Sequence, residues 1–208
     1  MTKDTLILAT SNPHKIDKLT WIFAPYFRHI TPQSNAIDVD ETENSFEGNA
    51  CLKAITVSKM YKGYAVATDG GVLIPSLGVG WNAVLTKRFL GKDNVTDTDR
   101  IEGLLSLMKD KKGADRAIEW REAIAIAYSG KLIFSTEVVG DEGLVQETYD
   151  PAQYKPGIWQ CTLTCYPQFG GKNFFELSEE ERQYAEISWH RLKEMVDWFL
   201  ESGKGLQK

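Results

Sequence analysis

Residues 5–9 read as a strand around the short apolar run Leu6-Ile7-Leu8-Ala9, which stops at Thr10-Ser11-Asn12-Pro13 and gives way at once to a helical pattern over 14–23. A continuous apolar run of that length suits a strand buried on both faces. Asn12 is a good N-cap, and Pro13 is favoured at the first helical position. Ile16, Leu19, Trp21, Ile22 and Phe23 make most of the helix's apolar surface. The free N–H groups at such a helix start, with the positive end of its dipole, are a natural seat for phosphate. Thr10 and Asn12 add short polar side chains there, and Lys15, one turn in, can reach back. The same residues read equally well as a capped helix with a surface lysine.

Further along, a helix is expected over 45–61, with Phe46, Ala50, Ala54, Val57 and Tyr61 on one face. A strand over 64–68 should end at the breaker cluster Asp69-Gly70-Gly71. Residues 81–90 and 98–108 look helical, the second capped by Thr96 or Thr98. Residues 117–128 read as a strand buried on both faces, turning at Ser129-Gly130-Lys131 into a strand over 132–139. One long helix over 178–201 would carry Ala185, Trp189, Leu192, Val196 and Phe199 as its apolar stripe. Helices and strands are mixed, and the hairpin implies at least one antiparallel pair, so the class is α/β with a mixed sheet.

The bulk properties narrow the function. A chain of 208 residues, 42% hydrophobic and 25% charged, suits one domain or two joined lobes. No apolar run approaches the ~18 residues a membrane helix needs, and residues 6–9 are too short for the core of a secretory signal. A net charge of −5 argues against a nucleic-acid groove, though not against a nucleotide. Cys51, Cys161 and Cys165 read as free thiols in a reducing, cytoplasmic setting. A zinc site on Cys161 and Cys165 would lack the usual paired spacings.

Four segments could carry chemistry. Beside the Thr10/Asn12/Lys15 turn stands the acidic stretch 38–43 with Glu41, followed by Ser45 and, two helical turns on, Lys53. One or two carboxylates suffice for Mg²⁺ when phosphate and water complete its shell; they also suit a helix start for electrostatic reasons alone. Asp69, expected at a strand's C-terminal end beside glycines, is placed for a metal ligand or general base, yet Asp-Gly is also an ordinary turn. His190-Arg191 on the last helix is either solvated surface or a late contribution to a site.

Order and spacing join these segments. Leu8-Ala9-Thr10-Ser11-Asn12-Pro13-His14-Lys15, then Glu41-Thr42, Ser45-Phe46, Asn49-Ala50-Cys51-Leu52-Lys53-Ala54, Asp69-Gly70-Gly71 with Leu77-Gly78, Gly171-Lys172, Phe175-Glu176-Leu177-Ser178, Glu180-Glu181, Ile187-Ser188 and His190-Arg191 run along almost the whole chain. In these segments it resembles the inosine-triphosphate pyrophosphatase family of house-cleaning nucleotide hydrolases. The resemblance implies a single domain over 1–208: an elongated mixed sheet flanked by helices, in two lobes around a central cleft. It implies metal-dependent hydrolysis of a nucleoside triphosphate, of the non-standard purine ITP/XTP kind, to monophosphate and pyrophosphate. Thr10, Asn12 and Lys15 would hold the triphosphate, and Glu41 and Asp69 the Mg²⁺, with Mn²⁺ as a substitute. Asp69 and Lys53 would be catalytic, and Lys172, His190 and Arg191 would close over the nucleotide. A homodimer is implied as well; Trp81 and Phe89 would serve its interface or the core.

Four departures from the family pattern stand out. Thr68 stands where the family has the first acid of an Asp-Asp pair, and Gly70 where it has a serine. The element that packs against the base aligns with Ile158-Trp159-Gln160-Cys161-Thr162, in which Trp159 alone could stack. A spacer separates Glu181 from Ile187, and Trp189 splits the Ser-His-Arg run. Three functions are therefore carried forward: a triphosphate pyrophosphatase, a nucleotide-binding relative with weakened turnover, and a pyrophosphatase or other phosphohydrolase with altered specificity.

Overall fold

Leu6, Ile7 and Leu8 lie in β1 (Lys3–Leu8), which pairs in parallel on both sides, with β2 (Phe27–Pro32) and β3 (Tyr64–Leu73). A strand flanked on both edges and covered on both faces is apolar where it is buried, and Leu6-Ile7-Leu8 is, while Lys3, Asp4 and Thr5 at its start are polar and outside the core. The computed structural model describes residues 3–34, 39–85, 89–91 and 95–202. The Asp38 end of the acidic stretch lies outside them.

α1 (Pro13–Phe23) makes the crossover from β1 to β2, as a parallel pair requires. Asn12 caps it, its side chain accepting the His14 N–H at 3.0 Å. The helix buries Leu19, Ile22 and Phe23, while Trp21, expected on the apolar surface, is exposed. α2 (Phe46–Tyr61) is capped by Ser45, whose Oγ accepts the Gly48 N–H at 3.0 Å. It ends where Lys62 turns left-handed at φ 51°.

The chain then forms α3 (Asp97–Leu107), β4 (Ala117–Tyr128), β5 (Lys131–Val145), α4 (Trp159–Leu163), β6 (Thr164–Tyr166), β7 (Lys172–Asn173), α5 (Glu179–Ala185) and α6 (Ile187–Glu201). Thr96 caps α3 through a reciprocal pair with Asp99. Ser129 and Gly130 both have positive φ, 47° and 85°, giving the two-residue turn that joins β4 to β5 as an antiparallel hairpin. β5, β6 and β7 pair antiparallel in turn. The sheet has seven strands in the order β2-β1-β3-β4-β5-β6-β7, so it is mixed, as the sequence implied.

The chain divides into two compact units. One takes residues up to Gly70, Glu122–Val138 and everything from Trp189 on; the other takes Gly71–Arg121 and Val139–Ser188. In the first, Leu6, Leu8, Leu19, Phe23, Val66, Ile124 and Ile126 pack with the α6 stripe Trp189, Leu192, Val196 and Phe199. In the second, a smaller cluster gathers around Tyr166, Phe174 and Leu177, with Ala185 against it. Among the described residues no helix is long and apolar enough to cross a membrane.

Three expectations need correction. β3 does not stop at Thr68; it continues through Asp69-Gly70-Gly71 to Leu73, with neither glycine at positive φ. Neighbours in the sheet keep these residues extended, overriding their turn preference. Of the helix expected over 81–90, the described part holds only a short 3-10 turn, Ala83–Leu85, with residues 86–88 outside the described set. There Trp81 is buried against Phe89 and donates its indole N–H to the Val72 carbonyl at 2.7 Å, so it belongs to the core. The last helix is two, broken at Glu186, and this is why Ala185 faces a different cluster from the rest of the predicted stripe. The sequence reading also missed β2, β6, β7 and α4, the last three too short to show a period.

Candidate active site

The turn between β1 and α1 is built from its own polar side chains. Thr10 Oγ1 accepts the Asn12 N–H at 3.1 Å, and Asn12 Oδ1 accepts the His14 N–H. Lys15 follows in the first turn of α1. Its Nζ donates to Glu122 Oε1 on β4 at 3.0 Å, with the lysine side chain 20% exposed and that of the glutamate 8%. Burial by itself would lower the Lys15 pKa. The charges of Glu122, Asp69 and Glu41 outweigh it and hold the ammonium above its ordinary value.

The same unit holds a second lysine in a tighter arrangement. Lys53, on α2, places Nζ 3.1 Å from Glu41 Oε1 and 3.1 Å from Asp69 Oδ1. One helical turn earlier Asn49, completely buried, donates its amide to Asp69 Oδ2 at 3.2 Å and accepts the Glu43 N–H at 3.1 Å. Both oxygens of Asp69 are thus held by α2. The approach of the acidic segment to α2 needs the glycine at 48: a Cβ there would lie 2.8 Å from the Glu43 Cβ and 2.9 Å from the Ser45 Oγ.

Of the residues singled out in the sequence, the structure therefore brings Lys15, Glu41, Lys53 and Asp69 into one electrostatic cluster. Thr10 and Asn12 shape the turn beside it. His190 and Arg191 belong to the same unit, near the start of α6; the His190 ring meets Trp21 edge-on at 5.1 Å and Arg191 is exposed. Lys172 and Trp159 belong to the other unit. Lys172 is paired with both oxygens of Glu181, at 2.7 and 2.9 Å. Trp159, expected to stack on a base, is buried and stacks on Phe89 at 6.3 Å between ring centroids.

Thr68 is buried next to Asp69, and strand alternation turns it to the opposite face of the sheet. Its hydroxyl has no hydrogen-bond partner among the described residues.

Two members of the cluster were missed. Asn49 stands amid the apolar face of α2, and Glu122 heads the unbroken apolar run 123–127 of β4. A polar side chain in an apolar stretch was the available signal for both, because burial of such a group requires a partner. Nothing local said which partner.

The donor set suits a hard divalent cation. Glu41 and Asp69 carboxylates converge on a single cationic point, now the Lys53 ammonium, and two carboxylates are what Mg²⁺ takes when phosphates supply further oxygens. Among the described residues no three Asp, Glu, His or Cys side chains are grouped closely enough to hold a metal by themselves.

The profile of the Ham1 family matches residues 6–198 of the chain. The sequence is 29% identical over 196 residues to the dITP/XTP pyrophosphatase of Thermosynechococcus vestitus, covering 93% of this chain and 94% of that one. It is 33% identical over 174 residues to the dITP/XTP pyrophosphatase of Legionella pneumophila, covering 78% and 87%. The fold superimposes on a HAM1 protein from Coxiella burnetii with a TM-score of 0.74 at 22% identity, over 94% of this chain and 98% of that one.

Proposed function

The chain belongs to the Ham1 family, and on that premise we propose that it hydrolyses a nucleoside triphosphate, of the dITP or XTP class, to the monophosphate and pyrophosphate with the help of a divalent cation. The observation that carries this reading is the convergence of Lys15, Lys53, Glu41 and Asp69 beside the start of α1.

Phosphates need positive charge and hydrogen-bond donors, and the Asn12–Lys15 turn offers both. Lys15 and Lys53 neutralise the phosphate chain. Glu41 and Asp69 would hold Mg²⁺ or Mn²⁺, which when bound supplies further neutralisation of the phosphate oxygens. Asp69, fixed by Lys53 and Asn49, orients a water and accepts its proton. The water oxygen bonds to the α-phosphorus, the bridging bond to the β-phosphate breaks, and pyrophosphate leaves. No nucleophilic side chain is required. Lys172, His190 and Arg191 would close over the nucleotide, the last two near the base, while Trp159, buried against Phe89, is left out of base contact; the chain is read as a cytoplasmic homodimer.

The test is Mg²⁺-dependent pyrophosphate release from dITP, XTP, modified pyrimidine and standard triphosphates. Absence of turnover by folded protein on all of them defeats the proposal. A second reading, a binder with little turnover, draws on Thr68, which brings no carboxylate to Asp69. Thermal stabilisation by a triphosphate without product would favour it; efficient turnover would remove it.

A further inference from the structure

Glu122 belongs to none of the motifs that carry the family resemblance. It is nonetheless only 6% exposed, and its side chain's hydrogen-bond partner among the described residues is Lys15, 107 positions earlier in the chain. A buried carboxylate persists when it is paired, and this one is paired with the lysine read here as a phosphate ligand.

The donor count shows what the pairing leaves. An ammonium has three N–H groups. Lys53 spends two, on Glu41 and Asp69. Lys15 spends one, on Glu122, so two remain without a protein acceptor among the described residues.

We propose that Glu122 is the positioning residue of Lys15: it anchors the ammonium against β4 by one N–H and leaves the other two to meet phosphate oxygens from a fixed point. The inference rests on the reading of the chain as a triphosphate pyrophosphatase. A four-carbon stem held only at its base loses rotamer freedom when phosphate binds. Anchoring its tip beforehand removes that loss, which is preorganisation of the binding site.

Steady-state kinetics with Mg²⁺ and the best triphosphate of the panel test this in five forms: wild type, Glu122→Gln, Glu122→Asp, Lys15→Met, and the Lys15→Met/Glu122→Gln double variant, each checked for folding by thermal melting. Asp keeps the charge on a shorter stem, so it breaks the contact without emptying the site of its carboxylate, and it serves if Gln does not fold. The expected result is a KM raised about fivefold or more in both Glu122 variants with kcat little changed, and no added effect of Glu122→Gln once Lys15 is gone. A KM that falls or stays level shows that Glu122 competes with phosphate or is idle, and overturns the proposal. An equal rise without Lys15 overturns it too. A wild type that turns over no triphosphate sinks the proposed function and this role with it; normal wild-type turnover with additive variants sinks this role alone.

Discussion

Asn49, completely buried in α2, donates its side-chain amide to Oδ2 of Asp69 at 3.2 Å and so fixes the carboxylate that Lys53 holds by its other oxygen. Replacing Asn49 with Ala leaves Asp69 Oδ2 and the Glu43 N–H without that partner. We expect a loss of about 1–3 kcal/mol in stability, as for other buried groups left unsatisfied, and a fall in kcat of at least about tenfold, because an aspartate free to rotate orients water poorly. Urea unfolding and single-turnover kinetics measure the two effects separately. Unchanged kcat would show that the Asp69 orientation does not matter.

Lys53 occupies the point where Glu41 and Asp69 converge. Lys53→Met leaves two largely buried carboxylates facing each other, which should cost about 2–4 kcal/mol. It should also tighten binding of Mn²⁺ in the absence of nucleotide, since the cation no longer competes with an ammonium. Electron paramagnetic resonance titration of Mn²⁺ reads this directly. Weaker binding in the variant would place the cation away from Glu41 and Asp69. In the unsubstituted protein, EDTA should abolish pyrophosphate release and Mg²⁺ should restore it.

Asp141 lies in the other unit, buried on β5 with the Tyr166 hydroxyl donating to it at 2.7 Å. Burial pushes its pKa up from 3.8 to about 7, against the hydrogen bond from Tyr166, which lowers it. The folded state therefore holds a proton that the unfolded chain releases near its ordinary value. The associated stabilisation is full below that ordinary value and is lost as the pH rises through about 7. The melting temperature should fall between pH 5 and pH 8, and Asp141→Asn, which cannot ionise, should flatten the fall. An unchanged slope in the variant assigns the dependence to other groups.

Arg116 is buried and, among the described residues, forms no salt bridge to a carboxylate. Its guanidinium donates to four main-chain carbonyls: Val145 at 2.6 Å, Met108 at 2.7 Å, Lys111 at 3.1 Å and Gln146 at 2.6 Å. A planar fork with five donors can satisfy them together, and an ammonium cannot. Arg116→Lys should therefore lower stability by about 2–4 kcal/mol, a clear shift in a melting curve. A change below about 0.5 kcal/mol would show that water replaces the lost bonds.

The sequence by itself determined whatever depends on a few neighbouring residues. The β1 run, the Asn12-Pro13 start of α1, the Ser45 start of α2 and the Ser129-Gly130 hairpin all follow from apolar period, capping and turn chemistry. They act within one turn or one strand and need no partner elsewhere. The order of the polar segments was also legible, and with it the family. What the tertiary structure decided is which of those side chains meet. Sheet order, not local preference, keeps Asp69-Gly70-Gly71 extended inside β3. Packing of α1 and α2 on one sheet sets Lys53 between Glu41 and Asp69 and carries Lys15 to Glu122 across 107 residues. Desolvation is the physical reason: a charge leaves water only where a partner compensates it, and such partners come from strands and helices far apart in the chain.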